Sequence, residues 1–129
     1  MPTRALCAAL FLCLSVTTGG ALAGEVFTGV ASHYGCGDGF HGRRTASGTL
    51  FNAYGMTAAH RSLRFGTMLQ VYVADKAGHR KGKPVVVRVT DRGPYIRGRV
   101  LDLSCGAARQ LGFEKRGVAK VIVKVLRGN

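Results

Sequence analysis

Apolar and polar residues alternate along several stretches of the chain. Val26–Tyr34 alternates loosely, and Met68–Ala74, Val85–Thr90 and Val118–Leu126 alternate more clearly; each predicts a β-strand. VVVRV in the middle and VIVKVL near the end each set one cation, Arg88 and Lys124, in an otherwise apolar run. That pattern suits the strands of a closed barrel, packed inside and wet outside. The basic, glycine-containing segment Lys76–Pro84 reads as a hairpin connection. After Ser104, a residue suited to capping a helix, Ala107, Ala108 and Leu111 share one helical face, and Gly112 falls where a terminating glycine belongs. One short helix among many strands, with 19 glycines for tight corners, predicts a small all-β barrel.

The ends refine that picture. Arg4 precedes an uncharged run, Ala5–Val16, and Ala21-Leu22-Ala23 supplies a small-x-small cleavage pattern, so residues 1–23 are expected to be a cleaved export signal. The apolar run is shorter than the ~20 residues of a spanning helix. Neither Cys7 nor Cys13 follows the small residue expected before a lipidated cysteine, so no stable membrane anchor is predicted. Residues 24–129 then form one exported, periplasmic domain, expected to be monomeric, with room for a single core. Cys36 and Cys105 are the cysteines left to it, an obvious disulfide pair in an oxidising compartment; two buried free thiols are the alternative.

Nineteen Lys and Arg against six acids give a formal charge of +13, and only Arg4 leaves with the signal. The partner is expected to be polyanionic. Export argues against nucleic acid, and the lack of tryptophan gives base stacking little support. Peptidoglycan with its peptide carboxylates, acidic wall polymers or a membrane surface remain, with mere solubility as the bland alternative for the cluster Lys76–Lys83. No G-x-S-x-G or H-E-x-x-H occurs. His33, His41 and His79 show no ligand spacing, so no metal site is predicted, and nothing calls for a cofactor.

Carboxylate chemistry on a glycan is the enzymatic option left. Asp91 follows a predicted strand and opens Asp-Arg-Gly-Pro, whose glycine and proline turn the chain sharply. It suits a catalytic group, and equally an aspartate that caps a turn. Asp102 interrupts Val100–Leu103, either on the solvent face of a strand or buried with a partner. His60 follows Thr57-Ala58-Ala59 in an apolar setting, where a structural histidine is the commoner outcome.

Gly29–Gly35, Phe40–Gly48, Thr57–Arg61, Phe65–Thr67, Asp91–Pro94 and Leu101–Ser104 together closely resemble the rare lipoprotein A (RlpA) family. The resemblance implies a six-stranded double-psi β-barrel with one or two short helices. It also implies an endolytic lytic transglycosylase that cuts peptidoglycan strands between muramic acid and glucosamine, prefers strands without stem peptides, and leaves 1,6-anhydromuramic ends. In that reaction the sugar's C6 hydroxyl closes the anhydro ring, so one carboxyl can serve as acid and then base, relaxing the usual need for two. Carried over by residue, Asp91, His60 and Asp102 are the implied catalytic positions. Arg92, Tyr34, Thr45, Ser47, Thr49 and Asn52 are the expected substrate-binding positions. The chain departs from the family at Thr49, where active members typically carry Glu, and at Asn52, often Asp. Loss of general acid–base assistance costs typically ~10²–10⁴-fold in rate, which favours an alternative reading as a non-catalytic, expansin-like wall-binding module. The family's lipid anchor and C-terminal repeat domain are not matched, and the positive charge is expected to take over their targeting role.

Overall fold

The computed structural model describes residues 22–127; all but the last two residues of the expected export signal lie outside the described residues. Six strands and one helix follow in chain order: β1 Val26–Tyr34, β2 Thr57–Ala59, β3 Met68–Ala74, β4 Arg80–Asp91, β5 Arg99–Ser104, α1 Cys105–Leu111 and β6 Val118–Arg127. The strands close into a barrel in the order β1-β5-β2-β4-β3-β6. β1 with β5 and β2 with β4 run parallel, and the other neighbours run antiparallel. This is the closed, mixed, all-β architecture of a double-psi barrel, in which each of the six strands has a neighbour on both sides.

Alternation along the strands fills the interior. Leu69 and Val71 from β3, Val87 and Val89 from β4, Leu101 and Leu103 from β5, and Val121, Val123 and Val125 from β6 are all buried. Each contributes roughly 1.5–3 kcal/mol relative to an exposed side chain. Arg88 lies on the outer face and is exposed, and Lys124, also facing outward, is half-buried.

β4 begins earlier than the apolar pattern predicts. Arg80 and Lys81 pair with Ala74 and Val73 of β3, so the turn shrinks to the residues between Ala74 and Arg80. There the Asp75 carboxylate accepts the backbone N–H groups of Ala77 and His79, at 2.9 and 2.8 Å. The hairpin arm is solvated, so backbone pairing extends through it without any alternation for the sequence to display.

The helix forms as its caps dictate. The Ser104 hydroxyl accepts the Ala107 N–H at 3.3 Å and donates to the Gly55 carbonyl at 2.6 Å. Gly112 ends the helix in the left-handed conformation, φ 81°. Gly106 allows close approach: a Cβ there would lie 2.6 Å from the Tyr54 carbonyl oxygen. Cys36 and Cys105 form a disulfide, Cα atoms 5.2 Å apart, joining the segment after β1 to the start of α1. Phe51, Ala53 and Cys105 make a small second core beside it, with Tyr34 and Cys36 packed against them. The segment between β1 and β2 is thereby pinned against the outer face of the barrel.

Candidate functional site

Strand register sets the two aspartates in one row. Ser32 of β1 lies opposite Asp102 of β5, Asp102 opposite Ala59 of β2, and Ala59 opposite Asp91 of β4. Neighbouring strands are about 4.8 Å apart, so the two carboxylates spring from backbone positions roughly 10 Å apart, with one small alanine between them. Leu101 and Leu103 point inward, and Asp102 therefore projects from the outer face, beside Ser32 of β1. Both readings of Asp102 thus apply: it is on the outer face, and it is largely covered.

Three donors converge on Asp91. The Tyr34 hydroxyl donates to Oδ2 at 3.1 Å, and the backbone N–H groups of Ala46 and Arg92 donate to Oδ1 at 3.0 and 2.9 Å. Tyr34 is held in turn by stacking on Phe51, ring centroids 4.3 Å apart. Burial, together with the charge and hydrogen bond of Asp91, pushes the Tyr34 phenol far above its ordinary pKa, so it stays a donor. Asp102 accepts the Ser32 hydroxyl at 3.1 Å. Burial raises its pKa above the ordinary carboxylate value, partly offset by that hydrogen bond and by His33 and Arg99. Desolvation penalises the charged form, so Asp102 holds a proton to higher pH than a free carboxyl.

Thr45, Ser47 and Thr49 build a triangle of hydroxyls beside Asp91, with Oγ separations of 2.9, 3.0 and 3.1 Å. Ser47 is anchored by its N–H to the Thr90 carbonyl, and the neighbouring Ala46 supplies the donor to Asp91. The triangle is chemically a donor–acceptor surface with no titratable proton in the physiological range.

His60 and Arg92 stand differently. His60 Nδ1 accepts the backbone N–H groups of Ser62 and Leu63, at 3.1 and 3.0 Å, and its ring meets Phe27 edge-on. Nε2 therefore carries the proton in the neutral ring. Burial, then Arg61 and Arg92, lower its pKa, so the neutral form is favoured. The Arg92 guanidinium donates to the carbonyls of His60 and Leu63, at 3.2 and 2.7 Å, and lies over the Phe65 ring. These contacts brace the turn after β2 and so position the end of β4. Asn52 is exposed and its Oδ1 accepts the Tyr54 N–H at 3.0 Å, closing its own turn.

Two participants went unread in the sequence. Ser32 shares a strand face with Tyr34 two residues on, a signal that alternation carries once β1 is placed. The Ala46 N–H is a backbone donor and leaves no mark in the sequence. A candidate metal cluster among the described residues gathers Cys36, Cys105 and Glu114. Its two sulfurs are bonded to each other, which removes the thiolates a metal would need.

The family model described as lytic transglycolase, a double-psi β-barrel, matches residues 26–123. The chain belongs to this family. Among curated relatives, it is 58% identical over 100 residues to a probable endolytic peptidoglycan transglycosylase RlpA of a Nostoc species, and 46% identical over 96 residues to the endolytic peptidoglycan transglycosylase RlpA of Pseudomonas aeruginosa. These alignments cover 78% and 74% of this chain, and the chain spans 26% of the length of each relative. Among solved structures, a Clavibacter michiganensis expansin is similar at TM-score 0.61 and 25% identity, over 80% of this chain and 51% of that one. A Streptomyces papain inhibitor matches at TM-score 0.62 and 23% identity, over 81% and 97%, a likeness of fold alone. Within this RlpA-like barrel, the Asp91 row and the hydroxyl triangle lie in the matched region, the triangle standing where the resemblance leads one to expect glutamate.

Proposed function

We propose that this protein is an exported, periplasmic and monomeric lytic transglycosylase domain, acting on peptidoglycan glycan strands, with residues 1–23 as its export signal. The observation that carries the reading is Asp91, a carboxylate held by three donors at a strand end, with Asp102 in the same row of the barrel. Asp91 acts as the acid that protonates the glycosidic oxygen and then as the base that accepts the proton of the muramic C6 hydroxyl. C6–O bonds to C1 as the C1–O bond to the leaving sugar breaks, so no water is consumed. Tyr34 and Ala46 fix the carboxylate for both transfers, a gain in orientation that a free carboxyl lacks. Asp102, whose burial favours its protonated form, is the alternative proton donor. Thr45, Ser47 and Thr49 offer hydrogen bonds to sugar hydroxyl and amide groups. Phe40 and Leu50 on one flanking segment, and Tyr95 and Ile96 on the other, are exposed apolar surface suited to the faces of sugar rings.

A second reading rests on Thr49. With three hydroxyls where a catalytic glutamate is expected, the same face serves as an expansin-like module that binds wall glycan without cutting it.

Mass spectrometry of peptide-free glycan strands after incubation with the protein separates the two. New 1,6-anhydromuramic ends, lost in Asp91→Asn while sacculus binding persists, are expected. Binding without such ends would establish the module instead.

A further inference from the structure

The end of the barrel opposite Asp91 carries a groove of about 980 Å³ between the β3–β4 hairpin and the end of α1. Its volume sits at the upper end of the roughly 300–1,000 Å³ that encloses an organic ligand, well beyond what one inorganic ion fills. Val73, Ala74, Leu111 and Phe113 contribute apolar lining, and Lys76, Arg80, Lys81 and Arg116 add four cations. Among the described residues none of the four pairs with a carboxylate. Asp75 is the one acid in the lining, and it is turned to its own hairpin, accepting N–H groups from Ala77 and His79. Arg80 lies over the Tyr72 ring at 4.7 Å, which holds the planar cation in place and leaves its edge donors available.

Gathering four unneutralised cations around one recess costs mutual repulsion, which an anionic ligand would relieve. The apolar lining narrows the class. A bare polyphosphate would use the cations and leave that lining unfilled. A membrane favours a projecting apolar surface over a recess. Base recognition needs an accessible aromatic ring, whereas Phe113 in the lining is buried and the Tyr72 ring is covered by Arg80. We infer that the groove binds a short acidic peptide, its small side chains against the part-exposed Ala74 and Leu111, which cover the buried Val73 and Phe113, and its carboxylates against Lys76, Arg80, Lys81 and Arg116. That the peptide comes from cell-wall strands rests on the function proposed above; the preference for an acidic peptide does not.

β4 runs from this groove to the other site, Arg80 to Asp91, a span on the order of 30 Å. At a screening length of about 8 Å the groove cations have no purchase on Asp91. The domain can therefore hold a peptide-bearing part of a strand at one end while a bare part lies against Asp91 at the other.

The test is a nuclear magnetic resonance titration of the protein with a synthetic four-residue peptide of alanine and glutamate. Saturable shifts at Lys81, Leu111, Gly112 and Arg116 are expected. Affinity should fall about tenfold or more when the peptide carboxylates are amidated, and equally in Arg80→Gln/Lys81→Gln/Arg116→Gln, the loss expected from several modest exposed charge pairs. Shifts centred on Tyr34 and Ala46, equal affinity for the amidated peptide, or displacement by equimolar inorganic phosphate would overturn the proposal. The amidated peptide against the unmodified protein decides the matter even if the variant misfolds. Because the titration reads binding alone, a protein inert on glycan still tests the groove.

Discussion

Two aspartates share one row of the barrel, and burial sets the chemistry of Asp102. Asp102 has a folded pKa raised by desolvation. Its stabilising contribution is therefore complete below the unfolded value of about 3.9 and is lost as pH rises through the folded value. Asp102→Asn, which keeps a partner for Ser32, should be at least as stable as the parent at pH 7 and lose this advantage by pH 3; urea unfolding across that range measures it. A variant less stable at pH 7 would show that the ionised carboxylate is well compensated. His60 has the opposite sign: burial lowers its pKa, so its contribution holds above about pH 6.5 and fades as pH falls. At position 49, a glutamate would restore a carboxyl to the hydroxyl triangle beside Asp91. Thr49→Glu should raise the rate of anhydro-end formation at least tenfold, within the ~10²–10⁴-fold that general acid–base assistance supplies. No gain would mean that the triangle has been rebuilt for binding.

The segment between β1 and β2 is held at both ends. Cys36–Cys105 closes a loop of 69 residues in sequence separation, worth about 4 kcal/mol on the chain-entropy account. Cys36→Ala/Cys105→Ala should lose most of that in urea unfolding, and the Phe51–Tyr34 stack that orders the donor to Asp91 should loosen with it. Turnover is then expected to fall more than stability at 25 °C alone would dictate. Unchanged turnover in the folded variant would show that hydrogen bonds from Ala46 and Ser47 suffice to hold the segment. Ser104 fastens the other side, since one buried hydroxyl serves α1 and the Gly55 carbonyl together. The helix caps were legible in sequence because capping is local chemistry. The early start of β4 was not, because ladder bonds between solvated hairpin arms impose no side-chain pattern.

As a whole, the molecule is a cation with a formal charge of +13 against few acids, several of them committed to turns or to the site. Binding to isolated sacculi should weaken steeply between low and physiological salt, where the screening length shortens to about 8 Å. Affinity independent of salt would point to recognition by hydrogen bonds and apolar contacts alone. The two ends of the barrel divide the work in this picture, the Asp91 face toward sugar and the cationic groove toward acidic peptide.

Alternation, caps and glycine placement were enough for the sequence by itself to determine a closed β-barrel with one helix after Ser104, and its motifs to identify the family. Each of these is set by neighbours along the chain. Only the tertiary structure decided that Asp91 and Asp102 lie in one row, that Tyr34 and Ala46 reach Asp91, and that Arg92 braces the turn after β2. It also decided that cations from the β3–β4 hairpin meet Arg116 around one groove. Those relations depend on register between strands distant in sequence, and a backbone donor such as the Ala46 N–H is present in every non-proline residue, so no residue pattern announces where it will point.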